Sequence, residues 1–395
     1  MANIRNSIAV LQNEMSGYRR SMHENPQTAY EEQFASDLVS EKLSEWGIEH
    51  QRHIGVTGIV AKIEGKKNTS GKAIGLRADM DALDILEKTN QPWSSKIPGK
   101  MHGCGHDGHT SILLGVAKHL NETKNFDGTV YLVFQPAEEG QGGADKMIQD
   151  GLFKKYPMDA IFGLHNWPFL EKGKVALRSG PLLASADKFS IVVHGKGGHA
   201  AYPEQTIDPI MTANKIISEI QTIISRELKP TEPAVLSITN MSAGTGSFNV
   251  IPDTAEFSGT IRVFSEETRA FMQKRVRDIC NAVAGSVGAK ADVDFEYGMP
   301  PTINSKKEAN FCMDVLTDMV GADNLDTDVE LCMGSEDFGS MLLECPGAYI
   351  FMGQAENDND SPHNQSLHSP HYDFNDDIIP IGIEYFTRIA ESYLK

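Results

Sequence analysis

Long apolar runs are missing from this 395-residue sequence. None approaches the roughly 18 residues that a membrane-spanning helix needs, so no span is expected. The opening residues Met1-Ala2-Asn3-Ile4-Arg5 lack the apolar core and cleavage site of a secretion signal. Cysteine is scarce, with five residues at 104, 280, 312, 332 and 345. The odd count and irregular spacing argue against a disulfide framework and point to a reducing cytoplasm. Basic charge is in deficit: 36 Lys and Arg stand against 54 Asp and Glu, a formal net charge of -18. Nucleic acid and anionic membrane are poor partners for such a chain, because both need clustered cations. Internal repeats and low-complexity tracts are absent as well. What remains is 40% apolar and 23% charged residues, the profile of a globular chain long enough for two or three domains.

Residues 4–22 and 33–46 carry amphipathic helical patterns, separated by the turn-rich His23-Glu24-Asn25-Pro26. Apolar stretches at 58–63 and 73–78 flank a polar turn and read as a hairpin or adjacent strand pair. A helix over 110–120 and buried strands over 128–134 and 160–164 follow. Strands alternating with helices predict an α/β layered domain with a mainly parallel sheet. The character changes near Pro181. From there the pattern is strand 187–194, helix 208–228, strand 234–242, strand 254–263, helix 266–287 and strand 290–297. This β-α-β-β-α-β order is the split, ferredoxin-like α+β arrangement. Ile210, Ala213, Ile216, Ile217, Ile220 and Ile224 recur at helical spacing within it. Residues 181–296 are thus expected to form an inserted domain. Pro300-Pro301 marks the return, and 1–180 with 297–395 form one discontinuous domain, closing with a strand at 348–352, a polar loop at 354–371 and a final helix.

The densest chemical cluster is His102-Gly103-Cys104-Gly105-His106-Asp107-Gly108-His109. Glycines let the backbone turn tightly so that neighbouring side chains converge. Thiolate and imidazole suit a borderline-soft cation such as zinc; the plainer alternative is a polar turn with incidental histidines. A redox role for Cys104 is weaker, since no second cysteine stands at CxxC spacing. Glu138 and Glu139 follow a buried strand, where open α/β sheets place their sites. Adjacent carboxylates become useful when one binds a metal and the other takes a proton from a bound water; otherwise they make a solvated acidic turn. His165 also follows an apolar strand. Alone it reads as a packing residue; beside the other clusters it becomes a candidate ligand. Asp79 and Asp81 are candidates to ligate, to hold a ligating imidazole, or to cap a turn. The loop at 361–371 offers His363, His368 and His371, one of which could complete a two-metal site. In the inserted region, His199 and Asn249 are candidate donors to an oxyanion. Arg262 is a candidate clamp for a substrate carboxylate. Their plainer readings are a turn histidine, a turn asparagine and an exposed strand arginine.

Taken in order, LRADMDAL, MHGCGHDGH, FQPAEEG, GLHNWP, GKGGHAAYP, NVIPD, GTIR, GSEDF and LHSPH form a specific set. It resembles the aminoacylase/hippurate-hydrolase family of dinuclear metal-dependent amidohydrolases, related to plant hydrolases of auxin–amino acid conjugates, from Arg19 to Pro370. The resemblance implies a metallopeptidase-like catalytic domain holding two divalent cations per subunit (zinc, manganese, cobalt or nickel). Cys104, His106, Glu139, His165 and His368 would be the ligands, and Glu138 the general base and then acid. It also implies a homodimer formed through the inserted lid domain, with His199 of one subunit reaching the other's site and Asn249 and Arg262 facing substrate. A loop at 334–338 matches one at the pocket. Ile85-Leu86 after Asp84 departs from relatives that carry a proline there, a local loop difference. The expected reaction is hydrolysis of the amide of an N-acyl amino acid. Runner-up readings are a dipeptidase or carboxypeptidase of the same architecture and a noncatalytic metal-binding homologue. A nucleobase deaminase is disfavoured, because its HxE and CxxC pair are not found.

Overall fold

Strands that are apolar on both faces need cover on both faces, which places them inside a layered sheet. Ala73–Asp79 and Thr129–Gln135 are buried along their whole length, Gly347–Ala355 nearly so, and Ala160–Glu171 over its first seven residues. In the computed structural model, which describes residues 2–358 and 360–395 apart from the Tyr297 side chain, these four lie side by side and parallel. They are the centre of an eight-stranded sheet. Helix His106–Thr123 is buried on nearly every side, polar residues included, as a helix between layers must be. Helices Gln12–Glu24 and Ile379–Tyr393 pack on it, and Ile112, Leu113, Val116, Leu120, Ile383 and Phe386 join one core cluster. Asn359, in the loop read at 354–371, and Met1 lie outside the described residues. Among the described residues no helix is long and apolar enough to cross a membrane.

The chain divides into two compact units. The first holds the chain through Leu182 together with Ile303–Glu330 and Asp337–Lys395; the second holds Leu183–Thr302 and Leu331–Glu336. The short segment Leu331–Glu336 had no signal in the local pattern. The second unit has a four-stranded antiparallel sheet in the order Ala234–Ala243, Thr254–Val263, Ala186–His194, Lys290–Met299. Helices Pro209–Ile220 and Glu266–Ser286 complete the β-α-β-β-α-β sequence. Both start on sequence-encoded caps. Asp208 accepts from the Ile210 and Met211 amides, and Ser265 accepts from Thr268 N. Phe189, Ile191, Val193, Ile216, Ile220, Met272 and Val276 fill this unit's own core.

Three sequence expectations need correction. The stretches at 58–63 and 73–78 are neither a hairpin nor neighbours. Ile59–Glu64 pairs antiparallel with one edge of Thr129–Gln135, and Ala73–Asp79 pairs parallel with the other edge. Their polar connection is too long for a tight hairpin turn, and the wholly buried third strand takes the place between them. The strand read at 160–164 runs to Glu171 because Gly347–Ala355 pairs beside it as far as Ala355↔Glu171. His165 therefore lies within the strand and not after it. The first helical pattern, read as continuous over 4–22, is broken into Asn6–Ala9 and Gln12–Glu24.

Candidate metal centre

The carboxyl ends of parallel strands converge on one place. Asp79 closes its strand, Asp81 follows two residues later, and Glu138 and Glu139 follow Gln135. His165 extends beyond, since the last pairing of its strand with Ala73–Asp79 is Arg77↔Gly163. Cys104 and His106 arrive on the turn that opens helix His106–Thr123. Gly105 makes that turn possible: its φ is 91°, and a Cβ there would lie 2.3 Å from Asn166 Oδ1. His368 comes from the late loop, with its amide donating to Gly103 O at 2.8 Å.

Of the five groups of side chains within reach of a single ion among the described residues, three combine two or more of the expected ligands, and another joins Asp79 to His106 and His109. Cys104, His106 and His165 offer ligand atoms within 4.8 Å of one another; so do Cys104, Glu139 and His368, and so do His106, Glu138 and Glu139. Cys104 Sγ lies 3.4 Å from His165 Nε2, and His368 Nε2 lies 3.2 Å from Glu139 Oε1. Cys104, His106 and Glu139 each belong to two of these three groups, the overlap that two adjacent cations sharing ligands require. His363 and His371 do not join: the His363 ring faces the Asp373 carbonyl at 3.1 Å.

The imidazoles are oriented for ligation. His165 Nδ1 donates to the Asn166 carbonyl at 2.7 Å, and His106 Nδ1 is held by Asp81 Oδ1 at 3.2 Å. Each anchor leaves Nε2 aimed into the cluster. Asp81 also accepts from the Glu139 amide at 3.0 Å, so one carboxylate sets both His106 and the Glu138-Glu139 turn. Asp79 holds His109 Nδ1 at 2.6 Å. Both aspartates are hydrogen-bond partners of imidazoles, and Asp79 also lies within ion reach together with His106 and His109.

Electrostatics favour a cation. Burial, with the Glu139 and Glu138 carboxylates, pushes the Cys104 thiol well above its usual range. Burial would depress His106, but Asp79 and Asp81 outweigh it and push the ring up to about 10. Burial and neighbouring His109 hold His165 well below its ordinary value. Among the described residues, His106 Nε2 is a buried polar atom with no hydrogen-bond partner. A buried group in that state is costly unless something binds it. The donor set of thiol, imidazole and carboxylate fits a borderline-soft divalent ion.

Several supporting residues were not legible beforehand. Arg77 is fully buried and donates to Gln135 Oε1 at 2.8 Å, Asp79 Oδ2 at 2.7 Å and Asp337 Oδ1 at 3.2 Å. Asn166 bridges His109 Nε2 (2.7 Å) and Tyr372 Oη (2.7 Å). Asp337 and Asn166 sat inside quoted motifs, but no local signal named their partners. In the second unit, His199 is exposed and pairs across a two-stranded ribbon with Val250, and Ala200 N donates to Asn249 O at 2.9 Å. His199 and Asn249 therefore share one ribbon. Arg262 lies half-buried, donating to Ser335 Oγ at 3.0 Å, and burial lowers its guanidinium from the ordinary value.

A mainly parallel α/β sheet with a buried thiol–imidazole–carboxylate cluster at its strand ends defines a metallopeptidase-type hydrolase acting on amides. The description "Peptidase family M20/M25/M40" matches residues 75–392, and the chain belongs to that family. A hippurate hydrolase of Campylobacter jejuni is 41% identical over 98% of this chain and 98% of its own length. A thermostable carboxypeptidase of Saccharolobus solfataricus is 40% identical over 89% of this chain and 88% of its own. Among solved structures, a dinuclear metal-binding M20 peptidase of Bacillus subtilis superposes with a TM-score of 0.83 at 34% identity, covering 98% of this chain and 99% of that one.

Proposed function

We propose that this chain is a cytoplasmic amidohydrolase that cleaves N-acyl amino acids into a carboxylic acid and a free amino acid, using two divalent cations. Cys104, His106, Glu139, His165 and His368 are the residues assigned to hold them. The observation that carries the reading is the overlap of three ligand groups around Cys104, His106 and Glu139, with the Glu138 carboxylate in the same cluster. When bound, the cations lower the pKa of a water toward neutrality and polarise the amide carbonyl. Glu138, buried at the strand end, accepts the water's proton as the carbon is attacked and returns it to the departing amine. His199 and Asn249 donate hydrogen bonds to the developing oxyanion, each worth about 10²–10³ in rate where such donors have been removed. Arg262 holds the substrate carboxylate through its planar fork. A homodimer formed through the second unit, with that unit closing as a lid and His199 serving the partner's site, completes the proposal.

The test is a panel of N-benzoyl, N-acetyl and N-indoleacetyl amino acids. Chelated protein is assayed after zinc, manganese, cobalt or nickel is restored. Glu138→Ala should lower turnover by about 10²–10⁴-fold while bound metal stays at the wild-type level. Turnover that survives either chelation or the Glu138 substitution refutes the mechanism. The 40% identity to a carboxypeptidase supports one second reading. It predicts release of C-terminal residues from peptides with no action on the N-acyl panel.

A further inference from the structure

We infer that Glu32 is a positioning residue for the reaction: its carboxylate clamps the strained backbone at Ala137 and so aims the adjoining Glu138. The inference rests on the reading of Glu138 as general base. Ala137 has a φ of 54°, in the left-handed region that a Cβ disfavours. It is fully buried, so solvent does not satisfy its amide. The Ala137 amide donates instead to Glu32 Oε1 at 2.9 Å, across 105 residues of sequence.

The carboxylate is itself fixed. Oε1 also accepts from Tyr30 N at 2.9 Å, Oε2 accepts from Thr57 Oγ1 at 2.5 Å, and the side chain is wholly buried. The same N-terminal segment makes a second tie, with Tyr30 Oη donating to the Gln141 carbonyl at 2.9 Å. Gly143 N closes the turn on Ala137 O at 3.0 Å. Burying a carboxylate is costly, and an apolar side chain would fill the same space. The hydrogen bond to Ala137 explains what the carboxylate does there. Relaxing Ala137 to a right-handed conformation would rotate the Cα–Cβ bond of Glu138 away from the cluster it shares with His106 and Glu139.

Glu32→Asp shortens the clamp by one methylene, while Glu32→Gln preserves its reach. Burial pushes the Glu32 carboxyl up to about 7, so an uncharged amide of the same shape suits the site, with the Thr57 hydroxyl turning to accept from it. Glu32→Asp should lower kcat about 100-fold, the cost of a misplacement near 1 Å, with KM and metal content held. Glu32→Gln should recover most of that loss. Ala137→Gly, which takes positive φ without penalty, should restore most of kcat in the Glu32→Asp background, a rescue that a general loss of stability would not show. In the metal-free protein, amide exchange over residues 137–143 should quicken in Glu32→Asp and not in Glu32→Gln. Wild-type kcat in Glu32→Asp, or a deficit that Ala137→Gly leaves untouched, overturns the inference. Should Glu138→Ala turn over normally, the general-base reading fails instead, and the exchange rates still decide whether Glu32 holds the turn.

Discussion

Filling the candidate centre with divalent cations should release protons in a number the structure sets. In the metal-free protein the Cys104 thiol is kept protonated by burial and by the Glu139 and Glu138 carboxylates. Despite its burial, His106 stays protonated up to about 10, because Asp79 and Asp81 stabilise the imidazolium. His165 is already neutral, since burial and His109 hold it down. Only thiolate and neutral imidazole ligate, so Cys104 and His106 each surrender one proton at neutral pH. Each proton adds tenfold in apparent affinity per pH unit. These two ligands should therefore contribute a rise of about 100-fold per unit between roughly pH 6 and 8, or about 2.7 kcal/mol per unit. Titration calorimetry in buffers of different ionisation enthalpy counts the protons directly, and competition with a chelator across the same range gives the slope. Cys104→Asp replaces the thiol with a carboxyl whose ordinary pKa, near 3.9, lies far below a thiol's, so its slope should fall by up to about tenfold per unit. A wild-type protein that releases no protons on loading, or a Cys104→Asp variant with an undiminished slope, would show that these side chains do not ligate.

Two further outcomes concern the scaffold. Arg77→Met removes a buried guanidinium whose partners include Asp79 and Asp337. Stranding those carboxylates should cost about 3–5 kcal/mol in urea denaturation, and a cost under about 1 kcal/mol would mean they find other partners. His23 is buried, which alone would lower its pKa, yet Asp107 and Glu87 push it up to about 9. Its folded value thus exceeds the unfolded value of about 6.5, so its stabilisation is complete below that pH and is lost as pH rises through about 9, by up to about 3 kcal/mol. His23→Gln should flatten this part of the stability–pH curve, and identical curves for variant and wild type would sink the assignment.

Much of the chemistry was local enough to read. His102 to His109 pack ligand-type side chains into one Gly-rich turn, and Glu138 and Glu139 stand together after an apolar run. The second unit's β-α-β-β-α-β order follows from periodicity alone, since each element alternates its apolar residues at its own repeat. Three-dimensional pairing decided the rest. Nothing near residues 58–78 announces that Thr129–Gln135 will lie between their two strands, and nothing after Leu164 announces that a distant strand will carry pairing to Glu171. Asp79 and Asp81 became partners of His109 and His106, and Glu32 met Ala137, only because the sheet's neighbours and register brought them together. Local pattern encodes the face a side chain takes and the period of its element. Which buried donor meets which buried acceptor depends on long-range strand order and on the need to satisfy polar groups inside the fold, and this is set when the whole chain packs.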